Sequence, residues 1–279
     1  MIIAQELDLN WKNVKRCIEN WIKNYFFTNK IRKVVVGISG GVDSAVVASL
    51  TKNALGRGKV IGILLPEKGV TPKTDRKDMK KIVELLRVDF LEIEISKLVK
   101  NFIEAFPLVK GDLLAYGNLK PRIRMTLLYA IANVNRALVV GTSDRSEYYL
   151  GYFTKFGDGA ADIFPLLGLY KTQIKELGRF LKLPRAIIDK TPSPGLWKGQ
   201  TAEKELGISY EVADRIFFYK KDFPILYGKV YSNEKIAKII GINKYLIELV
   251  ENRGKNTMHK RALPPSPPIP YPYFTWKKS

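Results

Sequence analysis

The stretch Lys33-Val34-Val35-Val36-Gly37-Ile38-Ser39-Gly40-Gly41-Val42-Asp43-Ser44 decides the fold. Its first half is short, β-branched and apolar at successive positions, the pattern of a parallel strand buried on both faces. Its second half is a turn of glycine, serine and aspartate, after which Ala45 to Ala54 reads as a helix. A strand that runs through a glycine turn into a helix aims unpaired helix N–H groups at one spot, and they form an anion cradle there. Gly40 and Gly41 let the backbone approach a phosphate closely, and Ser39 and Ser44 add hydroxyl donors. A bare Gly-Gly would be an ordinary βα turn with a Ser or Asp cap. Two serines, two glycines and an aspartate at one junction point instead to phosphate binding.

The alternation continues outward. Upstream, Trp11, Val14, Ile18, Trp21, Ile22 and Tyr25 recur at helical spacing over residues 10–27. Downstream, strands are predicted at 59–65, 90–95 and 137–141, and helices at 74–87, 98–106 and 117–136. This is the signature of an α/β fold, a doubly wound parallel sheet flanked by helices. Residues 142–168 are rich in glycine, aspartate and aromatics without a period and read as a long functional loop, followed by a helix over 171–181. Residues 190–207 read as a mobile segment, and short helices follow near 209–221, 233–240 and 243–251. From Pro264 there are six prolines in eleven residues, an extended strip. The expected layout is one domain over 1–279: an N-terminal helix (1–30), a nucleotide-binding core (33–189), then the mobile loop, C-terminal helical decoration and the proline-rich tail (190–279).

Composition narrows the class. The 279 residues are 46% hydrophobic and 27% charged, ordinary for a globular protein, and no apolar run approaches the about 20 residues of a membrane span. The first ten residues lack a basic n-region, so they do not read as a secretory signal. One cysteine, Cys17, excludes an internal disulfide and suits a reducing cytoplasm; it lies beside Ile18 and Trp21 and reads as a packing residue. A formal net charge of +20 favours anionic partners. The basic residues are scattered rather than blocked, which argues for a solvated lysine-rich surface or small phosphorylated ligands over nucleic acid.

The loop is neither of two better-known phosphate loops. Asp43 stands where a Walker loop has lysine, and Gly37, Gly40 and Gly41 are wrongly spaced for a dinucleotide fingerprint. An aspartate beside phosphate repels it unless a cation lies between, which assigns Asp43 to Mg²⁺. Gly141-Thr-Ser-Asp-Arg-Ser-Glu147 follows the fourth strand at its carboxyl end, and Glu147 offers a second carboxylate to the same ion.

The eight residues 37–44 resemble the signature of the PP-loop ATP pyrophosphatases, which adenylate a substrate oxygen and release pyrophosphate. The resemblance narrows further along the chain. Gly151-Tyr-Phe-Thr-Lys-Phe-Gly-Asp-Gly159, Asp162-Ile-Phe-Pro165, Leu169-Tyr-Lys-Thr-Gln173 and Lys120-Pro-Arg-Ile-Arg-Met125 are similar to stretches of the ammonia-dependent NAD synthetases. So are Thr191-Pro-Ser-Pro-Gly-Leu-Trp197, Gly199-Gln-Thr201, Glu205-Leu-Gly-Ile-Ser-Tyr210 and His259-Lys-Arg261. The segment Pro66 to Pro72 is only loosely similar, and Pro121 is an unusual start to a helix bearing Arg122.

The resemblance implies that Gly37, Ile38, Ser39, Gly40, Gly41, Val42, Asp43 and Ser44 hold the ATP phosphates, with Thr142, Lys171 and Ser193 also on ATP. It implies Mg²⁺ on Asp43 and Glu147, and the deamidated dinucleotide (deamido-NAD) on Arg122, Lys155, Asp162, His259 and Lys260. It further implies a homodimer, ammonia as nitrogen source, and a catalytic group of Asp43, Glu147 and Lys171. The reaction would be ATP-dependent amidation of deamido-NAD through an acyl-adenylate, giving NAD, AMP and pyrophosphate. Two other readings remain open from the residues: a tRNA-modifying PP-loop enzyme, which the charge would suit, and a non-catalytic nucleic-acid binder. The first generally needs reactive cysteines, and the second leaves Asp43 and Glu147 without a purpose.

Overall fold

The computed structural model describes residues 3–265, so nearly all of the predicted proline-rich strip lies outside the described residues. Asn10 opens α1 (Trp11–Thr28) by accepting the Asn13 amide. The buried stripe of α1 runs through Ile18, Ile22 and Phe26, so Cys17 falls on the other side and is exposed rather than packed. Then come β1 (Lys33–Gly37), α2 (Val42–Leu55), β2 (Val60–Leu64), α3 (Lys73–Leu86), β3 (Asp89–Glu92), α4 (Ser96–Ala105), α5 (Leu113–Asn135) and β4 (Ala137–Val140).

The four strands are parallel in the order β3-β2-β1-β4, with Val36 of β1 opposite Gly62 on one side and Val140 on the other. The chain builds outward from β1 through β2 to β3, then crosses back to place β4 on the opposite flank. The carboxyl ends of β1 and β4 therefore border the point where strand order reverses, the place where open α/β sheets bind ligands. The phosphate loop and the 141–147 segment both start there.

Side chains alternate between two cores, as the pleat requires. Val34 and Val36 pack with Val46 and Ile82, whereas Val35 packs with Ile63, Ile95 and Ile123. Helices thus cover both faces. α5 begins at Asp112, whose carboxylate accepts the Leu114 and Ala115 amides at 2.8 and 2.9 Å. Pro121 consequently stands inside the helix rather than at its start.

The predicted 142–168 loop contains a helix, α6 (Arg145–Leu150). Asp144 caps it by accepting the Glu147 amide at 2.8 Å, an Asp-x-x-Glu start too short to show a helical period. α7 (Lys171–Phe180) and α8 (Arg185–Ile188) follow. The predicted mobile segment holds one short helix, α9 (Ala202–Leu206). α10 (Tyr210–Phe217), α11 (Phe223–Tyr227), α12 (Asn233–Ile240) and α13 (Lys244–Asn256) complete the described chain, packed around a third core with Tyr170, Ile216, Ile236 and Ile247. Between α10 and α11 the chain winds as a π-helix over Phe218–Asp222. That turn delivers Asp222 to Arg145 at the start of α6 (Nη1 to Oδ2, 2.8 Å), fastening the C-terminal helices to the site.

Candidate active site

The phosphate loop is held open by its own side chains. Ser44 Oγ accepts from the Ser39 amide at 3.2 Å and donates to Gly41 O at 3.0 Å. The two serine hydroxyls lie 3.1 Å apart, and Ser39 Oγ accepts the Gly41 amide at 3.3 Å. Gly40 has φ +83°, and a Cβ there would come 2.8 Å from Asp75 O, so only glycine fits. These bonds leave the start of α2 facing outward as an anion cradle.

Beside it lies a cluster joining three segments, the phosphate loop, the start of α6 and the start of α7. Lys171, first residue of α7 and buried, places its ammonium 2.8 Å from Asp43, 2.6 Å from Asp144 and 2.8 Å from Glu147. Three carboxylates around one ammonium leave two negative charges uncompensated if all are ionised. Burial, followed by Asp144, pushes Glu147 well above its ordinary pKa, and burial raises Asp144 as well. Burial alone would lower the Lys171 pKa, but the carboxylates, Asp144 foremost, raise it well above the usual lysine value. One oxygen from each of Asp43, Asp144 and Glu147 lies within 4.8 Å of the others, and Asp43 Oδ1 is buried with no hydrogen-bond partner among the described residues. Hard oxygen donors, surplus negative charge and a spare carboxylate oxygen fit a divalent cation such as Mg²⁺.

A buried buttress sets this cluster. Asp214 of α10 accepts from Ser146 Oγ at 2.5 Å and from Thr172 N and Oγ1 at 2.9 and 2.8 Å. Ser146 Oγ in turn accepts the Lys171 amide at 2.9 Å. One carboxylate thus ties α6, which carries Glu147, to the start of α7, which carries Lys171. Burial pushes Asp214 up to about 7. Tyr210, also buried, presents its ring 5.4 Å from the Lys171 ammonium, and its hydroxyl has no partner among the described residues.

The residues predicted for the dinucleotide are largely brought together. Arg122 on α5 donates to Lys155 O at 3.4 Å, and Lys155 Nζ donates to His259 O at 2.7 Å. Lys260 Nζ donates to Gly151 O and Phe153 O, both at 2.9 Å, and its pKa is lowered by burial first and then, despite Asp158, by the neighbouring arginines. Asp162 stands apart from that group. Its Oδ2 accepts the Val139 amide at 2.7 Å, and its Oδ1 accepts from Tyr129, which burial and Asp162 together push up to about 12. Thr142 is half-buried just past β4, beside Gly141, where a Cβ would collide with Phe164. The Ser193 hydroxyl donates to Gln200 O at 2.7 Å within its own segment.

Sequence reasoning missed Asp144, Asp214 and Lys120. Asp144 had a signal, the Asp-x-x-Glu spacing at a helix start. Asp214 had none, since a lone aspartate on an amphipathic helix reads as a solvated residue.

The chain matches the NAD synthase family model over residues 14–264. A relative from Pyrococcus horikoshii, an NH(3)-dependent NAD(+) synthetase, is 46% identical over 84% of this chain and 87% of its own length. The enzyme of that description from Hyperthermus butylicus is 42% identical over 94% and 92%. Among solved structures, NMN synthetase from Francisella tularensis superposes with a TM-score of 0.79 at 34% identity, covering 94% of this chain and all of that one. NH3-dependent NAD synthetase from Campylobacter jejuni gives 0.76 at 28% identity over the same shares. A phosphate loop ending in Asp43, a carboxylate–lysine cluster beside it and this length of agreement lead to one conclusion: the chain belongs to the NAD synthase family.

Proposed function

We propose that this cleft carries out ATP-dependent amidation of deamido-NAD with ammonia. A nicotinate carboxylate oxygen attacks the α-phosphorus of ATP and pyrophosphate leaves. Ammonia then attacks the activated carbonyl, AMP leaves with the bond electrons, and the ammonia nitrogen loses a proton to give the amide of NAD. Neither step needs an enzyme nucleophile, which suits a site built of carboxylates, lysine and backbone amides. The loop 37–44 holds phosphate through N–H groups and the serine hydroxyls, and Lys171 offsets phosphate charge as it develops. Asp43 and Glu147, joined by Asp144, would hold Mg²⁺, which when bound supplies further charge neutralisation on the phosphates. Arg122, Lys155, His259 and Lys260 would receive the dinucleotide pyrophosphate and carboxylate, and Asp162, held on Val139 and Tyr129, would meet it apart from them.

A homodimer belongs to the same proposal, since Phe102, Phe106, Leu108, Leu113 and Leu114 are exposed apolar side chains from α4 to the start of α5. A cytoplasmic site of action is also part of it. No helix among the described residues is long and apolar enough to cross a membrane.

The observation that carries the reading is the Asp43–Asp144–Glu147–Lys171 cluster against the phosphate loop. The test is an assay with ATP, Mg²⁺, ammonium and deamido-NAD, expected to yield NAD and AMP in equal amounts. Formation of ADP, or of no NAD, would reject it. The solved NMN synthetase supports a second reading, in which the acceptor is the mononucleotide carrying the same carboxylate. Presenting both acceptors in competition decides between them by kcat/KM.

A further inference from the structure

The segment between α8 and α9 is met by side-chain contacts at its start and in its middle. At its start, Lys190 Nζ donates to Gly40 O of the phosphate loop at 2.9 Å and pairs with Asp75 and Asp78 of α3 at 3.2 and 2.5 Å. In its middle, Trp197 lies against Gly117 of α5, where a Cβ would come 3.0 Å from the indole. One turn further along α5, the side chain of Lys120 is fully buried and donates to the Leu196 carbonyl at 2.6 Å. The same ammonium pairs with buried Glu67 at 2.9 Å and sits 4.5 Å from the centre of the Tyr116 ring. Glu67 lies on the loop after β2, beyond the carboxyl end of the sheet.

A buried Lys–Glu pair is weak evidence for stability, because desolvation offsets most of its attraction and apolar side chains of similar volume serve as well. What methionine at this position could not do is donate to Leu196 O. That bond links α5, the loop after β2 and a strap whose other end rests on the phosphate loop. We infer that Lys120 is a positioning residue that holds residues 190–200 across the interval between phosphate loop and α5, keeping water from the activated carboxyl. The inference rests on the adenylation proposed above. Its chemical consequence is specific. Water that reaches the adenylate attacks the carbonyl carbon and the carbonyl–O–phosphorus link breaks at carbon. AMP leaves, and after proton loss the carboxylate is regenerated, so ATP is consumed without NAD.

The test uses the full chain and two readouts: AMP formed per NAD, and trypsin cleavage after exposed Lys198. Lys120→Met should raise AMP per NAD about fivefold and speed cleavage about tenfold, whereas Lys120→Arg, which keeps a donor, should recover part of both. Lys120→Met with Glu67→Gln removes both buried charges together, which keeps the fold, and should behave like the single variant. Should that double variant melt like the parent, make AMP and NAD in equal amounts and resist trypsin equally, the inference is overturned. Failure of the reaction reading looks different: the parent protein itself makes no NAD, while the trypsin comparison still reports on the strap.

Discussion

Asp43 was legible from sequence because an aspartate in a phosphate loop demands a cation. Asp144 offered only the Asp-x-x-Glu spacing, because its helix spans six residues and shows no helical period. Yet Asp144 makes the shortest contact to Lys171, 2.6 Å, and is the buried member of the carboxylate group. Asp144→Asn should raise the Mg²⁺ concentration for half-maximal pyrophosphate release about tenfold, and Asp43→Asn should abolish release with little change in melting temperature. A Mg²⁺ titration of the two variants checks both, and unchanged dependence would remove that residue from the cation site. Asp214 gives a pH prediction. Its carboxyl is raised by burial to about 7 in the folded chain, against about 3.9 unfolded. The folded state then binds the extra proton, so the stability contributed by neutral Asp214 is complete below about pH 4 and lost as pH rises through about 7. The melting temperature of the parent relative to Asp214→Asn should fall across that window. A difference that stays flat from pH 4 to about 7 would contradict the assignment.

At the scale of elements, β1 and β2 were readable as continuous apolar runs buried in the sheet, and helices such as α1 and α3 by the apolar stripe each turns to the core. The short helices were not, since their positions are fixed by contacts distant in sequence. α6 ends at Gly151, φ +62°, where a Cβ would collide with Thr257 at the end of α13. That close approach brings Lys260 onto the carbonyls of Gly151 and Phe153. Gly151→Ala should therefore cost about 2 kcal/mol in urea unfolding, from backbone strain and overpacking together. It should also raise KM for deamido-NAD more than KM for ATP, because the displaced α13 leads into the turn bearing Lys260 and not into the phosphate loop. Equal effects on the two constants would place Lys260 outside the dinucleotide recess. The glycines and prolines of segment 190–207 predict a mobile stretch. Its anchors, Lys120, Lys190 and Trp197, are contacts that composition does not reveal.

Over the whole molecule, the sheet order puts the phosphate loop and the Glu147 segment on either side of one crevice, and the C-terminal helices close it through Asp222, Asp214 and Lys260. The proposed dimer belongs to this scale. Light scattering should return twice the chain mass. Leu108→Glu with Leu114→Glu should give monomers whose turnover falls about tenfold, because a dinucleotide recess shared between subunits would be incomplete. Fully active monomers would contradict a shared site. In the proposed reaction the carboxylate of the substrate, not water or ammonia, attacks the α-phosphorus. Deamido-NAD bearing heavy oxygen in its nicotinate carboxylate, with mass analysis of the AMP released, reads that step. One labelled oxygen is expected in the phosphate of each AMP formed with NAD; unlabelled AMP would mean that the carboxylate did not make the attack.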